Sequence, residues 1–168
     1  MLISQKLNQA MNLQVGRELG ASHQYVMIAA FFQAESLPQL AGFFFRQAEE
    51  EREHAMRFVH YILDAGGQVA IPGVDMPQPV ASAEEAVQLS LEWEMEVTKQ
   101  INELMALAVK ENDFIAQQLL GWFVNEQLEE VSTMGELLSV VRRAGPTGLL
   151  FVEDYMSRRP NPHAEGES

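Results

Sequence analysis

The chain has 168 residues, enough for one domain with a properly buried core. It contains no cysteine, which excludes disulfides, thiolate-bound zinc, iron–sulfur clusters and a cysteine nucleophile; any metal must use oxygen and nitrogen ligands. A formal net charge of −13, from 24 acidic and 11 basic residues, argues against binding a nucleic-acid backbone and fits either plain solubility or the attraction of cations.

Apolar residues recur at three- and four-residue spacing over most of the chain, without long stretches of strict alternation, so the fold class is all-α. The first helix is expected over Gln5–Ala34. Glu35-Ser36-Leu37 is a short link, and Pro38 suits the first turn of a second helix, Pro38–Ala65, because its missing N–H is not needed there. So short a link makes the two helices antiparallel neighbours. A third helix is expected over Ala83–Glu111 and a fourth over Phe114–Arg143, separated by Asn112-Asp113, a pair suited to capping the new helix. Ala144-Gly145-Pro146 then breaks the chain before a short fifth helix, Thr147–Arg158, whose apolar face holds Leu149, Leu150, Phe151, Val152, Tyr155 and Met156.

The connection between helices two and three differs in kind. Gly66, Gly67, Pro72, Gly73, Pro77 and Pro79 make it poor in helix formers. Fully extended it reaches roughly 55 Å, more than the ~40 Å length of a 27-residue helix, so it can cross the whole bundle. Two antiparallel hairpins joined by one long crossover define the ferritin-like topology, as opposed to an up-down-up-down bundle. The expected organisation is one domain over residues 1–158, followed by a disordered tail, 159–168. No run approaches the ~20 apolar residues that span a bilayer, and no basic segment leads into an apolar one at the start, so the expected protein is soluble and cytoplasmic.

The apolar seams of the four helices are interrupted at one level. Helix one reads Leu7, Met11, Gln14, Glu18, Ser22, Tyr25, Ala29, Phe32; helix two reads Leu40, Phe44, Gln47, Glu51, His54, Phe58, Tyr61, Ala65. Helix three gives Val87, Leu91, Glu94, Val97, Ile101, Leu104, Ala108, and helix four gives Ala116, Leu120, Phe123, Gln127, Glu130, Met134, Leu137, Val141. Glu18, Glu51, Glu94 and Gln127 lie 11 to 13 residues from the expected starts of their helices, so they converge on one layer. Carboxylates buried together in an apolar core cannot all remain ionised without a counter-charge. No Lys or Arg stands at these positions, which leaves a bound metal as the source of that charge.

Glu51-x-x-His54 places a carboxylate and an imidazole side by side on one helical face. Helix-bundle di-iron sites use one Glu from each of two helices and a Glu-x-x-His from each of the others; here the second pair is Gln127-x-x-Glu130. The expected assignment puts one metal on Glu18, Glu51 and His54 and a more weakly held one on Glu94 and Glu130, bridged by Glu51. Oxygen-rich ligation with open positions favours iron over structural zinc.

Several residues carry two readings. Tyr25 is either a core tyrosine with a hydrogen-bonded hydroxyl or a redox partner of the metals. Glu50, Glu126 and Glu129 are either a solvated acidic run or a further ion site, while Glu49 reads as surface. His23 and His60 fall off the seams, and the nine methionines read as core filling rather than haem ligands.

At these residues the sequence resembles the bacterial non-haem ferritins, nearly over the whole chain, from Leu7 to Met156. The likeness rests on Glu50-Glu51-Arg52-Glu53-His54, Ile101-Asn102-Glu103-Leu104, Gly121-Trp122-Phe123-Val124-Asn125-Glu126-Gln127 and Gly148-Leu149-Leu150-Phe151-Val152. The resemblance implies a ferroxidase centre of Glu18, Glu51, His54, Glu94, Gln127 and Glu130, with Tyr25 and Trp122 as the aromatics beside it. It implies a third iron site of Glu50, Glu126, Glu129 and Glu130, in which Gln47 stands where some relatives have histidine. It also implies a homo-oligomeric cage of 24 subunits with the fifth helix near the four-fold axes, and oxidation of Fe(II) by O2 or H2O2 to a ferric oxyhydroxide core. Two departures from bacterioferritins, Gln127-x-x-Glu130 for a second Glu-x-x-His and Arg52 for a haem-ligating Met, imply no haem. The main rival is a di-iron oxidase or peroxidase of the same bundle class that stores nothing; a purely structural bundle is the remaining alternative.

Overall fold

The computed structural model describes residues 2–159. The expected tail therefore lies, apart from Arg159, outside the described residues. Five helices follow in order: α1 Gln5–Ala34, α2 Pro38–Asp64, α3 Ala83–Lys110, α4 Phe114–Ala144 and α5 Leu149–Arg158. Among the described residues there is no strand, and no helix is long and apolar enough to cross a membrane. Against the expected bounds, α2 and α3 each end one residue earlier and α4 runs one further. Helix α5 starts two residues later, because Thr147 and Gly148 belong to the turn that follows Gly145, whose φ of 69° ends α4 in the left-handed region.

Local chemistry sets these ends. Ser4 caps α1 by accepting from Leu7 N at 3.0 Å, Ser82 caps α3 by accepting from Glu85 N at 3.1 Å, and Asp113 caps α4 by accepting from Ala116 N at 2.9 Å. Helix α2 has Pro38 in its first turn but no cap of its own. Its cap comes from α5, where Glu153 accepts from Gln39 N at 2.8 Å and Leu40 N at 2.9 Å. The short helix is thereby pinned across the end of the bundle by charge-assisted bonds.

The pairs α1/α2 and α3/α4 are antiparallel hairpins. Contacts of Ser4 with Glu111, Gln14 with Gln100 and Tyr25 with Glu94 make α1 and α3 antiparallel as well. The crossover that permits this runs along α1. Asn8 and Asn12 bond the backbone of Gln68 and Ala70, and Gln24 exchanges two 2.8 Å bonds with the backbone of Gln78. Four residues of helix rise ~6 Å, close to two residues of extended chain, so Asn8, Asn12 and Gly16 meet Gln68, Ala70 and Pro72 in step, whereas by Gln24 the crossover has advanced further than that step. Gly16 belongs to the same face: a β-carbon there would run into the Pro72 ring.

Every seam residue is buried except Tyr61 and Leu91, which are half-buried. The core is nevertheless split. One apolar cluster, with Phe32, Phe44, Val87, Leu137 and Val152, fills the end capped by α5; the other, with Met11, Phe58, Ile101, Leu120 and Phe123, fills the opposite end. The layer between them is polar, and it holds the candidate site.

Candidate metal centre

All four bundle helices contribute to this layer because each seam carries its polar residues at the same height. Glu18 and Glu94 are fully buried, and Glu51, His54 and Glu130 are at most 3% exposed. No Lys or Arg is among the buried side chains of the described residues. One ligand atom each from Glu18, Glu51 and His54 lies within 4.8 Å of the others, close enough to share one ion. A second such group consists of His54, Glu126 and Glu130. Glu18 Oε2, Glu51 Oε1 and Glu130 Oε1 are buried without a hydrogen-bond partner. Leaving buried carboxylate oxygens unpaired is costly, and three at one level fit a cation better than any neutral network.

The electrostatics agree. Burial, reinforced by the Glu94 charge, pushes the carboxyls of Glu51 and Glu130 well above their ordinary value. Each therefore binds a proton more tightly than a free carboxyl does. Burial works against the His54 imidazolium, yet Glu51 at 3.3 Å from Nδ1 and Glu126 at 3.8 Å from Nε2 outweigh it, and His54 is raised as well. Trp122 and Phe123 wall the imidazole edge-on, with centroids 5.5 and 5.7 Å away, and Arg57 lies 3.9 Å over the Trp122 ring.

Glu94 stands in neither of the two metal-sized groups. Its Oε1 accepts a short hydrogen bond from the Tyr25 hydroxyl, and its Oε2 accepts from Gln127 Nε2 at 3.1 Å. The same Gln127 nitrogen also donates to Glu94 O and to Thr98 Oγ1, each at 3.2 Å. The physical reason is satisfaction of donors: a buried phenol and a buried amide beside a carboxylate bond to it. Burial raises Glu94, while those two hydrogen bonds pull it back down. Tyr25 is raised well above the ordinary phenol value by burial and then by Glu94, so it remains a donor.

Of the other predicted residues, Glu126 joins His54 and Glu130, and Glu50 accepts from Gln47 Nε2 at 3.1 Å. Glu129 is exposed and stands in no metal-sized group with three such side chains. His23, His60 and Glu49 are exposed, as the sequence places them. Sequence reasoning missed the partners behind the ligands. Gln14 donates to Glu18 Oε1 at 2.8 Å, Ser22 donates to the Ala48 carbonyl at 2.7 Å, and Glu153 caps α2. Gln14 and Ser22 carried a signal as polar interruptions of an apolar seam; Glu153 carried none.

Residues 8–144 match the family profile described as Ferritin-like domain. The chain is 41% identical over 170 residues to Ferritin BfrB of Mycobacterium tuberculosis, covering 96% of this chain and 93% of that protein. It is 30% identical to a bacterial non-heme ferritin of Bacteroides fragilis, covering 94% of this chain and all of the relative. Among solved structures it is similar to an open pore ferritin from Archaeoglobus fulgidus, with a TM-score of 0.89, 31% identity, and coverage of 95% of this chain and 99% of that one.

Proposed function

The chain belongs to the ferritin-like family, and from that premise we propose that it is an iron-storage ferritin subunit whose mid-bundle layer is a ferroxidase centre. The observation that carries this reading is the set of unpartnered buried oxygens on Glu18, Glu51 and Glu130, gathered around His54 in a layer without a buried Lys or Arg. Iron is the substrate. Two Fe(II) ions give one electron each, reducing O2 to the peroxide level or H2O2 to water, and the ferric product is stored as oxyhydroxide.

The protein's own part is electrostatic. Glu18, Glu51 and His54 hold the first ion, and the proton on Glu51 leaves as the metal enters, because carboxylate ligands bind deprotonated. Glu130, with Glu126 beside His54, offers the second position; Glu94 joins when its bonds to Tyr25 and Gln127 give way. Clustered carboxylates stabilise the higher charge of Fe(III) over Fe(II), which favours the oxidation. Gln127 as a neutral neighbour favours release of product over retention. Tyr25, in contact with Glu94, keeps a proton at the second half of the centre. Glu50, Glu126 and Glu129 are the proposed route or third site for a further ion, and the expected setting is a cytoplasmic homo-oligomeric cage of 24 subunits without haem.

The test is aerobic addition of many equivalents of Fe(II) to metal-free protein, followed by size-exclusion chromatography with iron detection. Rapid oxidation with hundreds of irons co-eluting in a large soluble particle is the expected result. A few irons on a small oligomer would make the protein a catalytic di-iron enzyme instead.

A further inference from the structure

Gln14 sits one helical turn before Glu18 on α1 and is fully buried. Its neighbours along the core, Leu7, Met11 and Val15, are apolar, and packing alone gives no reason for an amide there. Its hydrogen bonds do. Nε2 donates to Glu18 Oε1 at 2.8 Å and lies 3.3 Å from Gln100 Oε1 on α3, while its own Oε1 accepts from Arg17 Nη1 at 3.3 Å. Each end of the amide is thus fixed by a different residue. A side chain held at both ends has one orientation in which to present its N–H. Glu18 in turn has one oxygen occupied and the other, Oε2, without a partner.

The choice of an amide has a chemical logic. A lysine at position 14 would also hold Glu18, but its charge would neutralise the carboxylate and compete with a metal ion for it. The amide donates without adding charge. A guanidinium on the amide carbonyl polarises it and makes the N–H a better donor, so Arg17 strengthens the bond that Gln14 gives to Glu18. Arg17 and Gln100 both line a groove of about 500 Å³ between α1, the crossover and α3, so the relay starts on the outer face of the bundle and ends on a ligand.

Resting on the iron-binding reading above, we propose that Gln14 is a positioning residue for the first metal position: it holds Glu18 with one oxygen free for the ion, and Arg17 and Gln100 hold Gln14. The supporting shell of a metal ligand commonly governs affinity by 10- to 100-fold. Gln14→Met keeps length and volume and removes the donor.

The test is anaerobic titration with Co(II), followed by its visible absorption, on metal-free wild type, Gln14→Met, Glu18→Ala and the double variant. Gln14→Met should weaken Co(II) binding at this position about tenfold and, acting only through Glu18, should change affinity less than about twofold when added to Glu18→Ala. Arg17→Met, an exposed change that cannot empty the core, should give a smaller loss of about twofold to threefold. Wild-type Co(II) affinity in Gln14→Met, or the same loss in both backgrounds, would overturn the proposal and leave the metal centre standing. Unchanged binding in Glu18→Ala would sink the centre and this proposal together.

Discussion

The two halves of the polar layer are built from similar residues and kept in opposite states. On the α1/α2 side, Glu18, Glu51 and His54 are close enough to share an ion, and two carboxylate oxygens have no partner. On the α3/α4 side Glu130 Oε1 is open as well, but both oxygens of Glu94 are taken, one by Tyr25 and one by Gln127. Burial raises Glu51 well above its ordinary value, whereas at Glu94 the same burial is opposed by two donated hydrogen bonds. The first half pays in unsatisfied polar atoms for being ready; in the second, Glu94 is satisfied and must be opened. In the proposed centre such an asymmetry predicts an order of filling, with the first ion on Glu18, Glu51 and His54.

The largest expected effect comes from breaking the ready half. Glu18→Ala or His54→Ala should slow rapid Fe(II) oxidation by at least about 100-fold, since removing a ligand costs no less than removing its supporting shell. Stopped-flow absorbance measures it, with helicity and particle size nearly unchanged as the control. Wild-type kinetics in either variant would dissolve the distinction between the halves.

A second effect is on stability. In the metal-free protein Glu51, Glu94, Glu130 and His54 all bind protons more tightly than in the unfolded chain. Their contribution is present at low pH and lost as pH rises through the raised folded values. Between pH 5 and 8 the metal-free protein should lose roughly 5–10 °C in Tm, and Co(II) should restore more at the upper end than at the lower. Scanning calorimetry checks this. Glu51→Gln should flatten the slope more than Glu94→Gln does; equal flattening would say that both halves carry the same strain.

The sequence made the ready half legible and the closed half only in part. Helical periodicity fixed which residues face inward, and four carboxylates at one height in an apolar seam are hard to produce by packing, so Glu18, Glu51, His54 and Glu130 could be read directly. The crossover was legible from its glycines and prolines, while its rungs, Asn8, Asn12 and Gln24 spaced along one face of α1, went unread because polar residues at that spacing also suit solvent. Glu94 reads from the sequence as a buried carboxylate of the layer, but a seam position reports burial and says nothing of partners. Whether a buried carboxylate is open or already bonded depends on neighbours from two other helices, at distances no spacing rule encodes. Glu153 is the extreme case: a carboxylate on a short amphipathic helix reads as solvated, and only tertiary placement makes it the cap of α2.

Changing the closed half itself gives a smaller effect. Gln127→Glu removes the amide that donates to Glu94 and adds a second acidic group needing a cation. The second ion should then bind about tenfold more tightly and be retained longer. Iron remaining on the protein after desalting, counted per subunit, should rise toward two. A count unchanged from wild type would mean that Gln127 does not set the hold on the second ion.

Tyr25→Phe is the finest test, because it removes one hydrogen bond and almost no volume. Without the phenol, Glu94 Oε1 becomes a buried unpartnered oxygen, as Glu18 Oε2, Glu51 Oε1 and Glu130 Oε1 already are. Hydrogen bonds to charged groups contribute about 1.5–3 kcal/mol, which bounds the change in second-ion affinity at roughly 10- to 150-fold if the bond is exchanged for a metal. Tighter binding of the second Co(II) and a change of less than about threefold in oxidation rate at saturating Fe(II) are expected if Tyr25 acts by holding Glu94. A much slower first turnover, with a tyrosyl radical signal in rapidly frozen wild-type samples that Tyr25→Phe lacks, would instead make the phenol an electron donor. The halves would then differ in redox chemistry as well as in readiness.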